Sequence, residues 1–224
     1  MPFDPLPKTL TDLLDGGARA PLTAVELGCG DGRLLALVRR PGVVCLGLDR
    51  LPRAAGSVAD IVGDACRPPV RDRSLDVLLA ANLVRHLVPS RPGLEFLEAW
   101  LGLLKPGGSL VILEDEPTAR PAAAANYRDL QAFLARLWPM GRGPLLARSA
   151  FLLRVPPQLL PLVADGGVAV NRWPQDARAA VAMLESGSPA AGDAAAGLAA
   201  AIGAQGLSCG RQWWCRFTVP VAPN

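Results

Sequence analysis

At 224 residues, the chain is long enough for one large domain and short of two ordinary ones. Half of its residues are apolar, which excludes a disordered chain, and a net charge of +3 is too small to argue for a nucleic-acid partner. That charge is uneven. The first 117 residues carry a net −2 and the remaining 107 a net +5, a bias that suits an acidic substrate or an Arg-rich solvated surface.

The five cysteines, Cys29, Cys45, Cys66, Cys209 and Cys215, are odd in number and contain no C-x-x-C. They read as buried or incidental thiols in a reducing compartment, not as a disulfide framework or a zinc site. Met1-Pro2-Phe3-Asp4-Pro5 lacks a basic region leading into an apolar stretch, and no apolar run approaches the ~18 residues of a membrane span. The reading is a cytoplasmic protein.

In chain order, Lys8 to Asp15 forms a short helix with Leu10, Leu13 and Leu14 on one face. Ala24–Leu27 is an apolar run entering glycines and reads as a strand. Arg33–Arg40 is the helix behind that turn, ended by Pro41-Gly42. Val43–Leu48 is a continuous β-branched-rich run, typical of a strand buried on both faces, and it ends in Asp49. A short helical stretch starts at Pro52. Ala59–Val62 is a third strand leading into Gly63-Asp64, and Leu75–Ala80 is a fourth. Leu94, Leu97, Leu101 and Leu104, with Trp100, recur at spacings of three and four and mark an amphipathic helix. Pro106-Gly107-Gly108 turns the chain into a fifth strand, Leu110–Leu113.

Five alternations of strand and helix predict a Rossmann-like α/β fold: a mostly parallel sheet with helices on both faces. In the second half, Tyr127, Leu130, Phe133, Leu134, Leu137 and Trp138 share one face of a helix over residues 122–138. Two Ala-rich helices follow, near 176–185 and 191–204, and Gln212–Val219 closes the sheet as an antiparallel last strand. Residues 141–175 hold apolar pieces broken by prolines and glycines, and no order of elements follows from them. The chain divides into a helical segment (1–20), a ligand-binding half (21–117) and an elaborated half (118–224) of one domain.

The chemistry sits at strand ends. In an open parallel sheet, ligands bind beyond the carboxyl ends of the strands, where this sequence places Glu26–Gly32, Asp49, Asp64 and Asn82. Gly28, Gly30 and Gly32 let the backbone turn sharply and lie against a ligand. A dinucleotide fingerprint needs its third glycine at position 33, which is Arg33. The loop therefore suits a ligand without phosphates. Asp49, 17 residues after Gly32, is placed to accept both hydroxyls of a ribose. Asp64 is placed to accept from an adenine amino group beside the small Ala65.

Taken together, these segments resemble the class I S-adenosylmethionine-dependent methyltransferases, in the broad group of the ubiquinone/menaquinone-biosynthesis type. Val25 to Gly32 resembles the first motif, and Leu46-Gly47-Leu48-Asp49 the second-strand motif. Gly63 to Leu78 resembles the adenine-reading stretch and the entry to strand four. Asn82 to Leu87 and Leu103 to Ile112 resemble the following segments. The likeness is collinear from about residue 22 to 117.

It implies that Glu26 orients the amino or sulfonium end of the cofactor and that Gly28, Cys29, Gly30 and Gly32 admit the methionine moiety. It further implies Asp49, with Arg50 beside it, at the ribose, Asp64 and Ala65 at the adenine, and Asn82 near the reacting methyl. The expected cofactor is S-adenosylmethionine, and the expected reaction is in-line methyl transfer to a small-molecule acceptor, in which alignment and exclusion of water are the protein's chief tasks.

His86, the single histidine, follows strand four with an unperturbed pKa suited to proton transfer and is the candidate base, beside a helix-packing role. Glu114, Asp115 and Glu116 leave strand five toward the same edge. No metal-ligand constellation is evident. The missing Asn/Asp-Pro-Pro-Tyr motif after strand four, replaced by Ala80-Ala81-Asn82-Leu83, argues against methylation of nucleic-acid bases. Trp138, Trp173, Trp213 and Trp214 are candidates for lining a pocket for a planar, apolar or acidic acceptor, or for packing the core. The alternatives are a nucleoside-binding protein that acts as a partner or regulator without turnover, and a nicotinamide-dependent oxidoreductase.

Overall fold

The computed structural model describes residues 12, 21–52, 58–137, 143–170, 175–186 and 192–221. Apolar runs without alternation are what a sheet covered on both faces requires, and they form its centre. In chain order the elements are β1 (Leu22–Leu27), α1 (Arg33–Val38), β2 (Val43–Asp49), β3 (Ile61–Val62), β4 (Leu75–Ala81), α2 (Val84–Leu87), α3 (Phe96–Gly102), β5 (Leu104–Glu116), α4 (Ala122–Leu137), α5 (Arg148–Leu152), a 3-10 turn (Pro157–Leu162), β6 (Val163–Val170), α6 (Ala177–Glu185), α7 (Gly192–Gln205) and β7 (Arg211–Thr218). The sheet runs β3-β2-β1-β4-β5-β7-β6. β7 is antiparallel to both neighbours, and the remaining neighbours pair in parallel.

Alternate residues divide between two cores. Val25, Leu27, Leu78, Leu110 and Ile112 face α3 and α5. Ala24, Val77, Leu79, Val111 and Leu113 face α1. A third cluster joins α4, α6 and α7 through Leu130, Phe133, Leu134, Leu184 and Ile202. Asp76, the acid that opens β4, is a clip at the far end of the sheet. Its Oδ2 accepts from the Thr23 amide at 2.8 Å and from Lys105 Nζ at 2.7 Å.

Several boundaries differ from the sequence expectation. The helix containing Trp100 is shorter than its leucine spacing predicts: Leu94 lies before it, at φ 56°, and Leu104 already belongs to β5. Pro106-Gly107-Gly108 lies within β5 instead of preceding it, at an irregularity in its pairing with β4. The stretch with no predicted order contains α5, the 3-10 turn and β6. The helices expected at 8–15 and from Pro52 lie outside the described residues, apart from Asp12 and Pro52 themselves.

Trp100 links core to site. It is fully buried, and its Nε1 donates to the Ala65 carbonyl at 2.6 Å, pinning the loop after β3. Trp100→Ala is expected to cost about 3–5 kcal/mol by leaving a cavity. Trp100→Phe is expected to cost less while freeing the Ala65 carbonyl. Urea denaturation midpoints measure both.

Candidate active site

The carboxyl ends of β1, β2, β4 and β5 open onto one cleft of about 880 Å³. Of the residues singled out in the sequence, Glu26, Gly28, Cys29, Gly30, Asp49, Arg50, Asp64, Ala65, Asn82 and His86 all line it. Gly32 does not line it. It caps α1 at φ 78°, pressed against Val58 where a Cβ would collide.

At one end the turn after β1 is tied to β2. Gly28 and Cys29 donate to the Leu48 carbonyl at 2.7 and 3.1 Å, and Gly30 donates to Asp49 Oδ2 at 3.0 Å. Asp49 Oδ1 accepts from Leu51 at 2.9 Å, so backbone amides aim this carboxylate. Gly30 has φ 47°, and a Cβ built on it meets nothing within 4 Å. The backbone thus faces open space that a side chain would fill. Asp64 Oδ1 accepts from the Cys66 amide at 2.9 Å.

Glu26 is 3% exposed, and its Oε2 has no hydrogen-bond partner. Burial pushes its carboxyl up to about 8, and a backbone hydrogen bond from Leu35 offsets only part of this. A buried carboxyl with an idle oxygen is what a cationic group would complete. The open face at Gly30, the backbone-aimed Asp49 and the orphaned Glu26 oxygen therefore fit a cationic nucleoside without phosphates.

The other end is walled by β4, β5, α4 and the segment around β7. Asn82, at φ 51°, accepts the Asp115 amide on its Oδ1 at 3.0 Å. Asp115 is 1% exposed, and its Oδ2 accepts from Tyr127 Oη at 2.7 Å. Burial raises the Tyr127 hydroxyl above its usual range and the Cys209 thiol to about 12. His86 accepts the Gly143 amide on Nδ1 at 3.1 Å, and a Cβ on Gly143 would run into the Arg85 carbonyl.

The three acids at the end of β5 part company. Asp115 lines the cleft, Glu116 Oε2 accepts from the Arg148 amide at 3.1 Å, and Glu114 is fully buried, with burial raising its carboxyl to about 7. Trp213 is buried, stacks on Phe151 and donates to the Leu146 carbonyl at 2.6 Å, so it packs the core instead of lining a pocket. Trp138 and Trp173 lie outside the described residues. Arg85, Gln175, Cys209 and Gln212 also line the cleft and were not singled out as site residues. Arg85 alone carried a signal: a charge three residues after Asn82 in an apolar stretch.

Residues 25–112 match the family described as "Methyltransferase domain". Over that stretch the chain is similar to the class I S-adenosylmethionine-dependent methyltransferases. It is 32% identical over 169 residues to a trans-aconitate 2-methyltransferase of Methylobacterium radiotolerans, a match over 69% of this chain and 60% of that relative. This chain therefore spans about three fifths of that relative's length. The fold is shared with the cyclase SpnF (TM-score 0.59, 20% identity, 96% of this chain and 81% of that one). It is also shared with a SAM-dependent methyltransferase from Archaeoglobus fulgidus (TM-score 0.55, 14% identity, 94% and 90%).

Glu26 generates a stability prediction. From about pH 4.5 to about pH 8 the folded protein keeps a proton that the unfolded chain releases. Stability therefore falls across that window, and the penalty is complete above it. Glu26→Gln escapes this. Its advantage over the parent in denaturant titrations is expected to grow from about pH 4.5, level off near pH 8 and reach at most a few kcal/mol.

Proposed function

We propose that this protein transfers the methyl group of S-adenosylmethionine to a small organic acceptor in the cytoplasm. The observation that carries this is the convergence of Glu26, Asp49, Asp64 and Asn82, from four strand ends, on a single cleft. When bound, S-adenosylmethionine supplies an electrophilic methyl group on a sulfonium that leaves as a neutral thioether.

The chain's own residues bind and align. Asp49 and Arg50 hold the ribose, while Asp64 and Ala65 frame the adenine, with Ala65 braced by Trp100. Glu26 receives the cationic end of the cofactor. Asn82, anchored to Asp115 through its own side chain, stands nearest the transferred group. The second end of the cleft, from Asn82 to Asp115, Tyr127 and Gln212, receives the acceptor. A small acceptor agrees with the trans-aconitate in the relative's name. Five free cysteines, four of them buried, suit a reducing compartment.

We assign His86 to holding the segment at Gly143 and not to proton abstraction. An imidazole that accepts an amide on Nδ1 carries its proton on Nε2 when neutral, so its one basic lone pair is already engaged by that amide. A second reading keeps cofactor binding without methyl transfer, because the fold also serves a cyclase. Release of S-adenosylhomocysteine with an acceptor panel distinguishes the two.

Binding supplies two expected outcomes. Asp49→Ala weakens S-adenosylmethionine by about 10- to 100-fold in calorimetry, through loss of a charge-assisted bidentate contact. An unchanged dissociation constant would falsify the ribose assignment. A cation beside Glu26 lowers a carboxyl that burial holds near 8, so binding releases up to about one proton near neutrality. Affinity therefore rises with pH until about 8. Calorimetry in buffers of different ionisation enthalpy reads this release, and Glu26→Gln abolishes it.

A further inference from the structure

Arg85 has no task in the donor assignment above. It lies in α2, three residues after Asn82, at the end of the cleft away from Asp49 and Asp64. Its side chain is only 8% exposed, yet it lines the cleft. Among the described residues, neither its Nε nor its Nη1 has a hydrogen-bond partner.

The opposing charge beside it is Glu114, whose Oε2 stands 4.0 Å from Nε and also lacks a donor. The other oxygen of Glu114 takes the Arg85 backbone amide at 3.3 Å instead of the guanidinium. The two groups feel each other's charge without sharing a hydrogen bond. Asp115 Oδ2 accepts from Tyr127, and no hydrogen bond joins Asp115 to Nε or Nη1 of Arg85. A guanidinium stays charged at any ordinary pH, so it cannot relieve its burial by losing a proton. Its planar fork matches a carboxylate with two parallel hydrogen bonds. A phosphate dianion fits worse, since Asp115 lines this end of the cleft, Glu114 is buried beside Arg85, and a single guanidinium balances a single negative charge.

We infer that Arg85 anchors a carboxylate of the methyl acceptor, which makes that acceptor a small organic acid. This rests on the methyl-transfer reading above, because that reading assigns this end of the cleft to the acceptor. The uncharged hydrogen-bonding groups of Gln175 and Gln212 on the same wall would meet the rest of the molecule.

The test uses the full chain with isotopically labelled arginine. The Arg85 Nε–H resonance is assigned by its loss in Arg85→Lys. It is followed during titration with succinate, fumarate, tricarballylate and benzoate, each against its amide, with and without S-adenosylhomocysteine. The expected result is a saturable shift with a dissociation constant below about 10 mM for at least one acid, and binding of its amide at least about tenfold weaker. Arg85→Gln is expected to weaken that acid by about a hundredfold, while S-adenosylhomocysteine binds within about threefold of the parent.

No saturable response to any of the four acids, equal binding of acid and amide, or acid binding untouched by Arg85→Gln each overturns the assignment. If Arg85→Gln does not fold, the comparison of acid with amide in the parent decides alone. Failure to bind S-adenosylhomocysteine, with the acids still bound, overturns the donor reading and leaves the anion site standing.

Discussion

Glu26 belongs to β1, a strand with β2 on one side and β4 on the other, and there the residue is only 3% exposed. A charge in such a place is expensive unless it is paired. A backbone hydrogen bond from Leu35 and the charge of Arg39 offset only part of that cost, and the group keeps its proton to well above the usual carboxylate range. That constraint shapes what surrounds it. The turn that follows faces open space at Gly30, and Asp49 is held in place by amides instead of by a cation. This end of the cleft is built to be completed by a positively charged ligand. The same logic recurs more weakly at the other end, where the Arg85 guanidinium and the Glu114 carboxyl face each other without a hydrogen bond.

Sheet order divides the cleft. β1, β2 and β3 lie together on one side and carry Glu26, Asp49 and, just beyond, Asp64. β4, β5 and β7 lie on the other and carry or lead to Asn82, Asp115 and Gln212. On the proposed reading, donor and acceptor ends are separate stretches of one sheet edge, joined where β1 meets β4. The Tyr127–Asp115 hydrogen bond extends the second end to α4, which also packs on α6 and α7.

The donor end was legible because each of its residues follows an apolar run that must be a strand. Parallel strands bring their carboxyl ends to one edge whatever their order. The acceptor end was not legible in the same way. Glu114, Asp115 and Glu116 are consecutive, yet strand alternation and distant partners give each a different fate: a buried place beside Arg85, the cleft with Tyr127, and the Arg148 amide. Trp213 and Trp214 divide likewise, the first stacked on Phe151 in one core and the second packed against the other. β6 was missed because an edge strand needs no apolar alternation. Val168 and Val170 are exposed, and Gly167 lies where a Cβ would come within 3.1 Å of the Trp214 Nε1.

The sequence by itself determined the α/β alternation, the antiparallel last strand, the resemblance to a methyltransferase domain and the places of Glu26, Gly28, Gly30, Asp49, Asp64, Ala65 and Asn82 on the cleft, because these rest on local periodicity and on residues next to strand ends. Tertiary structure alone decided that Glu26 is buried with an unpartnered oxygen, which of the three acids at the end of β5 meets the cleft, and that a buried Arg85 stands there with idle donors. Those are properties of contacts between residues tens of positions apart. Burial and pairing, which set their charge and reach, exist only once the strands have been laid side by side.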